Sequence, residues 1–218
     1  MRALNHIQSW VFDLDNTLYP ANSNLFSQVD VRMREFISNL LDLDGDEARK
    51  LQKKYFRDHG TTLRGLMTHH NLDPKPYLDY VHDIDISPID PSPALADVLA
   101  DLPGKKYIFT NASAGHAERV MDRLGIEAYF AGIFDICDAD YRPKPDPKIY
   151  DQFLEKFDID PKQAIMVEDM ARNLKPAADL GMKCLWVETD TDWARMGSDE
   201  DYVHHKTDDL VGFLKSLL

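Results

Sequence analysis

Four short apolar runs lie along the chain, at residues 10–12, 107–109, 164–167 and 184–187. Each run contains β-branched or aromatic residues and is bounded by polar or turn-forming positions. Runs of this kind are typical of parallel strands that are buried on both faces of a sheet. The pattern therefore predicts four buried strands.

Helical patterns separate these runs. The first pattern has an apolar face that consists of Ala114, Ala117, Val120, Met121 and Leu124. Gly125 follows this face and is typical of the end of a helix. A second pattern begins at Pro147, and a third spans residues 173–180 before Gly181. Thr207 or Asp208 is expected to cap a last helix that runs to Leu218. Strands that alternate with helices predict an α/β fold with a doubly wound, Rossmann-like parallel sheet.

The alternation stops between residues 21 and 88, where no strand pattern appears. A strong helical stripe opens this region, formed by Phe26, Val29, Met33, Phe36, Ile37, Leu40 and Leu41. Further helices are expected near residues 47–57, 63–70 and 74–82, and residues 87–93 form a proline-rich connection. We therefore expect a core made of residues 1–20 and 89–218, with residues 21–88 as a helical insert after the first strand.

Composition narrows the classes of partner. The formal net charge of −13 repels polyanions, so neither nucleic acid nor an anionic membrane is an expected partner. No stretch approaches the roughly 20 apolar residues of a membrane span, and residues 1–9 lack the apolar run of a signal peptide. Cys137 and Cys184 are expected to be small buried hydrophobes. A cytoplasmic protein is the expectation, and nothing in the sequence indicates an oligomeric state.

Two carboxylates follow the first predicted strand, Asp13 and Asp15, with Thr17 two residues later. Ligands of open α/β sheets gather at the carboxyl ends of the strands. Two like charges there raise one pKa unless a cation lies between them, which favours a hard divalent ion such as Mg²⁺. The alternative is one capping aspartate and one solvated aspartate. A calcium loop is excluded because Leu18 occupies the position that needs glycine.

Three other polar sites, which comprise five residues, follow predicted strands or lie in the loops beyond them. Thr110 and Asn111 suit phosphate oxygens, although both residue types also cap helices. Prolines on both sides of Lys144 restrict where its ammonium can reach, so it is either a phosphoryl-neutralising lysine or a surface lysine in a turn. Glu168 and Asp169 either complete a metal site or cap the next helix.

The order of these positions resembles the haloacid dehalogenase superfamily of phosphatases: an Asp-x-Asp-x-Thr segment, then a threonine, a lysine and an acidic pair. The resemblance covers essentially the whole chain. The helical insert resembles the C1-type cap of that superfamily. Residues 12–20 and 59–66 are similar to its pyrimidine 5′-nucleotidase branch.

The resemblance implies a magnesium-dependent phosphatase whose nucleophile is Asp13 and whose general acid and base is Asp15. Lys144 would balance the charge of Asp13 and the phosphoryl group, and Thr110 with the Asn111 N–H would hold phosphoryl oxygens. The metal would be held by Asp13, the Asp15 backbone carbonyl and Asp169, with Glu168 as a further ligand or a partner of metal-bound water. Thr17 would support the first loop and Asn173 the acidic loop.

The expected substrate is a small phosphorylated metabolite, with a pyrimidine nucleoside 5′-monophosphate favoured by the match in the insert. Arg64 is the leading candidate for contact with the leaving group, followed by Tyr55 and His59, and the alternative for Arg64 is a solvated helix arginine. Other functions stay open, namely a phosphatase for a sugar phosphate, phosphoglycolate or pyridoxal phosphate, and a phosphomutase. A dehalogenase is disfavoured by Asp15, and a non-catalytic phosphate-binding module by the presence of Asp13, Asp15 and Lys144.

Overall fold

The computed structural model describes residues 4–218, and its described part contains one sheet of six parallel strands. The strands are β1 Ser9–Phe12, β2 Lys105–Phe109, β3 Phe130–Phe134, β4 Ala164–Glu168, β5 Lys183–Val187 and β6 His205–Thr207. Their order is β3-β2-β1-β4-β5-β6, and every neighbouring pair is parallel. The chain winds outward from β1 on one side and from β4 on the other. The predicted doubly wound sheet is confirmed, with its switch point between β1 and β4.

Nine α-helices accompany the sheet within residues 4–218. They are α1 Leu25–Leu41, α2 Gly45–His59, α3 Thr62–His70, α4 Pro74–Val81, α5 Pro93–Asp101, α6 Ala114–Leu124, α7 Pro147–Phe157, α8 Leu174–Asp179 and α9 Leu210–Lys215. Among the described residues, none of these helices is both long and apolar enough to cross a bilayer.

Local capping chemistry explains where the core helices begin and end. Gly125 ends α6 in the left-handed conformation, at φ 74°, as its sequence position predicts. The Asp146 carboxylate accepts the Lys148 N–H at 3.0 Å and caps α7. The last helix differs from its prediction. Asp209 caps α9 by accepting the Gly212 N–H at 2.9 Å, and the Thr207 hydroxyl instead accepts the Asp209 N–H.

Helices α1 to α4 lie consecutively between β1 and α5, and the described residues of this stretch contain no strand. We call these four helices the cap. Helix α3 approaches α2 closely at Gly65, where an added Cβ would clash with the Tyr55 ring. The cap boundaries at residues 20/21 and 88/89 remain predictions.

Alternate residues of the strands enter two different apolar layers. Phe12, Ile108 and Val167 belong to one layer, while Val11 and Phe109 belong to the other. Both faces of the sheet are therefore buried, as parallel sheets require.

One expectation about the cysteines is wrong. Cys184 is buried within β5, as expected, but Cys137 is exposed because it lies in the turn that follows β3. Its apolar neighbour Ile136 is buried in the same turn.

Candidate active site

The carboxyl ends of β1, β2 and β4 open into one cavity of about 550 Å³ that reaches from the sheet to the cap. The sequence-predicted residues that line it are Asp13, Asp15, Thr110, Asn111, Lys144, Glu168, Asp169 and Asn173. Residues up to 160 positions apart in the chain therefore lie around one cavity, because the carboxyl ends of parallel strands lie at the same edge of the sheet.

Lys144 is the centre of this group. Its side chain is 1% exposed, and its Nζ donates hydrogen bonds to Asp13 Oδ1 at 2.7 Å and to Glu168 Oε2 at 2.7 Å. A third hydrogen bond runs to the Phe109 carbonyl at 2.8 Å. Burial lowers the pKa of Lys144, but the two carboxylates outweigh it and hold the pKa above its usual value. Lys144 is therefore a fixed cation at the floor of the cavity.

The backbone of the lysine loop is tied to β2. The Asn111 side-chain oxygen accepts the Lys144 N–H at 2.8 Å. The Thr110 hydroxyl accepts the Ala112 N–H at 3.0 Å and is buried at the end of β2. Asn111 therefore holds the lysine loop through its side chain.

Asp13 is nearly buried, and Thr17 donates its hydroxyl to Asp13 Oδ2 at 3.1 Å. Burial and the charge of Glu168 raise the pKa of Asp13 to about 7 against the opposing effect of Lys144. Burial and the same carboxylates raise the pKa of Asp169 well above its usual range. Ligand oxygens of Asp13, Glu168 and Asp169 lie within 4.8 Å of one another. Three buried carboxylates around one ammonium leave excess negative charge that a cation would offset.

Asp15 stands apart from this cluster in its hydrogen bonding. Tyr19 Oη donates to Asp15 Oδ1 at 2.6 Å, and His116 Nε2 lies 2.9 Å from the same oxygen. Burial raises the pKa of Asp15, but His116 and Tyr19 outweigh it and lower the pKa to about 2. Asp15 is therefore held in its carboxylate form by these two contacts.

Glu168 uses both carboxylate oxygens within the protein. In addition to Lys144 it accepts the Met170 N–H on Oε1 at 3.1 Å. Asn173 is buried beside this loop, and its carbonyl accepts the Tyr150 hydroxyl at 2.6 Å. The acidic loop is therefore held from both ends.

The cap places its predicted substrate residues outside the large cavity. Arg64 and His59 line a second depression with Arg142 and Asp146. Tyr55 is buried and its hydroxyl lies 2.7 Å from His70 Nε2.

Other cap residues face the large cavity, and the sequence pattern marks three of them, Phe26, Val29 and Met33, only as members of an apolar helix stripe. Helices α1 and α2 contribute Phe26, Val29, Asp30, Met33, Arg49, Gln52, Lys53, Phe56 and Arg57. Lys53 Nζ lies 2.6 Å from Asp30 Oδ1, so these two charges offset each other. The Phe56 ring meets the Trp193 ring edge-on at 5.8 Å and lies 5.1 Å from the Arg172 guanidinium carbon. The part of the cavity wall that these residues form is thus both aromatic and cationic.

His116 was also missed, although a signal for it existed. It lies four residues before Val120 and next to Ala117, so the periodicity of α6 places it at the edge of the buried face. A polar residue in an apolar stripe is more informative than an apolar residue there.

The family model for haloacid dehalogenase-like hydrolases matches residues 7–181. The chain therefore belongs to that family and is a hydrolase.

Two curated relatives and one solved structure extend the comparison. Phosphate metabolism protein 8 of Saccharomyces cerevisiae is 30% identical over an alignment of 191 positions, which covers 78% of this chain and 58% of the yeast protein. The chain thus spans little more than half the length of that relative. Glyceraldehyde 3-phosphate phosphatase of Methanopyrus kandleri is 25% identical over 95% of this chain and 92% of its own length. The crystal structure of a HAD phosphatase from Thermococcus onnurineus superimposes with a TM-score of 0.65 at 18% identity, covering 97% and 98% of the two chains. This last likeness shows the fold alone.

Proposed function

We propose that the chain is a Mg²⁺-dependent phosphomonoesterase that forms an aspartyl-phosphate on Asp13 and prefers pyrimidine nucleoside 5′-monophosphates. The observation that carries the proposal is the buried contact between Lys144 and Asp13, at the floor of a cavity that a substrate can enter. A lysine fixed beside a carboxylate suits the transfer of a phosphoryl group, because the ammonium neutralises charge on both partners. The two curated relatives named above are phosphate-metabolism proteins, which agrees with this chemistry.

The residues at the strand ends fit a magnesium ion. Clustered carboxylate oxygens are the donors that Mg²⁺ prefers. Burial, and then repulsion between the carboxylates, raise the pKa values of Asp13 and Asp169, and a cation would offset both effects. Asp13, Asp169 and the Asp15 backbone carbonyl would hold the ion. Glu168 already accepts from Lys144 and Met170, which favours a hydrogen bond to metal-bound water over direct ligation. Bound Mg²⁺ would supply positive charge opposite the phosphoryl oxygens.

The nucleophilic step belongs to Asp13. One carboxylate oxygen attacks phosphorus, and the bond from phosphorus to the leaving oxygen breaks with its electron pair on that oxygen. Lys144 and the Thr17 hydroxyl hold the two Asp13 oxygens and so fix the direction of attack. Thr110 and the Asn111 N–H would bind the phosphoryl oxygens at the end of β2.

The proton transfers belong to Asp15. It would protonate the leaving oxygen and then take a proton from the water that cleaves the aspartyl-phosphate. The contacts with His116 and Tyr19 favour the ionised form of Asp15. The negative charge of a bound phosphoryl group favours the protonated form, which is the form that the first transfer needs.

The cavity supports a ring-bearing leaving group. Its volume of about 550 Å³ is in the range of pockets that enclose drug-sized ligands. This volume is larger than a triose phosphate would fill. Gly60, Thr61 and Thr62 line it, and they belong to the segment that is similar to the nucleotidase branch. Arg57 and Arg172 provide cations that can donate to the carbonyl oxygens of a pyrimidine. Glyceraldehyde 3-phosphate is the competing substrate, because the Methanopyrus relative matches nearly the whole chain.

A phosphate-release panel with Mg²⁺ tests the proposal. UMP and CMP are expected to be hydrolysed better than AMP, sugar phosphates, phosphoglycolate and glyceraldehyde 3-phosphate. The Asp13→Asn variant serves as the background control for every ester. If a non-nucleotide ester is hydrolysed at least tenfold better than UMP and CMP, about 1.4 kcal/mol in transition-state binding, the proposed nucleotide preference is wrong. If none of the esters releases inorganic phosphate, the proposed phosphatase activity is wrong.

A further inference from the structure

The two oxygens of the Asp15 carboxylate have different surroundings. Oδ1 accepts from the Tyr19 hydroxyl at 2.6 Å and lies 2.9 Å from His116 Nε2. Within residues 4–218, Oδ2 has no hydrogen-bond partner. The Asp15 side chain is 18% exposed and lines the cavity, so one oxygen is clamped and the other is free.

The imidazole of His116 is almost wholly enclosed, with a side-chain exposure of 1%. In the described chain, its Nδ1 is buried without a hydrogen-bond partner. Among the described residues, Asp15 is therefore the one hydrogen-bond partner of this ring. An unpaired buried nitrogen costs roughly 1–3 kcal/mol, and an apolar side chain of similar size would avoid that cost. Packing alone gives no reason for a histidine here.

The plane of the His116 ring is fixed by His82. The two rings stack with centroids 4.6 Å apart and an angle of 24° between their planes. His82 Nδ1 in turn lies 2.9 Å from the Ser113 hydroxyl, immediately before α6. Burial and the neighbouring His116 lower the pKa of His82 to about 3, so His82 is a neutral stacking partner. The ring of His116 is thereby held in one orientation toward Asp15.

We infer that His116 is a positioning residue for Asp15, which turns the free Oδ2 of that carboxylate toward the leaving oxygen of the substrate. The inference rests on the proposed function, and it adds a residue that lies outside the strand-end motifs. Two hydrogen bonds on one oxygen prevent rotation of the carboxyl group, so the other oxygen alone faces the cavity. A group held within a narrow range of geometry transfers a proton far more often than a freely rotating one.

The step that depends on this geometry is the first transfer. Asp13 forms a bond to phosphorus, the bond to the leaving oxygen breaks, and the proton on Asp15 Oδ2 moves to that oxygen. Asp15 is left as a carboxylate, and the released alcohol carries the proton. A leaving group such as p-nitrophenolate is stable as an anion and needs no proton, whereas an alkoxide does. A misplaced Asp15 therefore slows alkyl esters selectively.

The test compares kcat/KM for two esters, because this ratio reports only the steps up to release of the leaving group. The esters are p-nitrophenyl phosphate and the alkyl phosphate that the substrate panel ranks first. His116→Leu is expected to lower kcat/KM for the alkyl ester about 100-fold and for p-nitrophenyl phosphate less than about threefold. His116→Gln, whose amide can donate from a similar position, is expected to restore the alkyl ester to within about tenfold of the parent.

A double-mutant cycle tests whether His116 acts through Asp15. In an Asp15→Asn background, His116→Leu is expected to cause no further loss with the alkyl ester, because the group that it positions is already gone. His6→Leu, at an exposed histidine, is the matched control and should leave both esters unchanged. Thermal melting checks that each variant folds. His116→Asn, whose shorter amide does not reach Asp15, replaces the leucine variant if the latter unfolds.

The outcomes separate the inference from the function on which it rests. Equal losses for both esters, or a full additional loss in the Asp15→Asn background, would overturn the positioning role while leaving the phosphatase intact. If the parent enzyme hydrolyses neither of the two esters, the proposed function is wrong, and the positioning role is wrong with it.

Discussion

Lys144 Nζ lies 2.7 Å from Asp13 Oδ1, although 131 positions separate the two residues in the chain. Neither side chain could be buried alone, because an unpaired charge in the protein interior costs several kcal/mol. The ammonium also bonds to Glu168, so one cation joins the ends of β1 and β4 to the loop before α7. The same contact that aims the Asp13 carboxylate therefore helps to hold the strand ends together.

Lys144→Met tests this double role. The variant is expected to lose turnover by about 100-fold or more, since the fixed cation is gone. In the absence of metal it is also expected to lower the free energy of unfolding by about 3 kcal/mol, because two buried carboxylates lose their partner. Urea unfolding in EDTA measures this loss. Adding Glu168→Gln should restore part of the stability but none of the turnover. A single variant that is as stable as the parent would contradict the structural role.

The acidic cluster predicts how magnesium affects stability. Mg²⁺ is expected to raise the melting temperature of the parent protein, because a ligand that binds only the folded state stabilises that state. At a free Mg²⁺ concentration of 100 times the dissociation constant, the stabilisation is about 2.7 kcal/mol. Asp169→Asn should abolish this increase and should not destabilise the protein in EDTA, because burial and the neighbouring carboxylates already disfavour a charge at this position. EDTA should also stop phosphate release, and Mg²⁺ should restore it. A melting temperature that rises equally in both proteins would place the ion elsewhere.

His82 predicts a pH dependence of stability. Its pKa is about 3 in the folded protein and near 6.5 when the chain is unfolded. Between these values the unfolded chain binds a proton that the folded protein does not, so stability falls as the pH drops below 6.5 and is fully present above it. From pH 7 to pH 5 the loss due to His82 is about 2 kcal/mol. Chemical unfolding at several pH values should show a steeper acid loss in the parent than in His82→Gln. Parallel curves would mean that His82 is protonated in the folded protein.

Two of the cap arginines, Arg57 and Arg64, distinguish the substrate contact chosen from the structure from the one chosen from the sequence. Arg57 lines the large cavity, whereas Arg64 lines the second depression. Arg57→Gln is therefore expected to raise KM for UMP about tenfold, the effect of losing one charged hydrogen bond, with a smaller change for Arg64→Gln. Steady-state kinetics of the two matched variants decide the matter. A larger effect at Arg64 would support the sequence-based prediction that Arg64 is the leading contact.

The sequence predicted the residues that meet at the strand ends because their positions follow from the topology. A buried parallel strand is recognisable from its apolar run, and the residue after it must lie at the carboxyl edge of the sheet. Asp13, Thr110, Glu168 and Asp169 satisfy this rule. Lys144 was found from its motif rather than from a strand, since the loop that carries it follows β3, which had no clear signal.

The missed elements lie where burial is weak. β3 and β6 are the two edges of the sheet, and edge strands need no continuous apolar run. β3 is interrupted by Gly132, and β6 consists of His205, Lys206 and Thr207. The cavity-facing residues of the cap could not be selected either. A helix stripe shows which residues are apolar, but which polar residues face a cavity depends on how the cap meets the core in three dimensions.

Direct detection of phosphorylated Asp13 tests whether the phosphoryl group of the substrate is transferred to this residue during turnover. The parent enzyme is mixed with its best substrate and Mg²⁺, quenched in acid within a turnover, digested and analysed by mass spectrometry. One phosphoryl group is expected on the peptide that contains Asp13, and none on the same peptide of Asp13→Asn. Turnover of the substrate by the Asp13→Asn variant at the rate of the parent, or a phosphoryl group on another residue, would contradict the account.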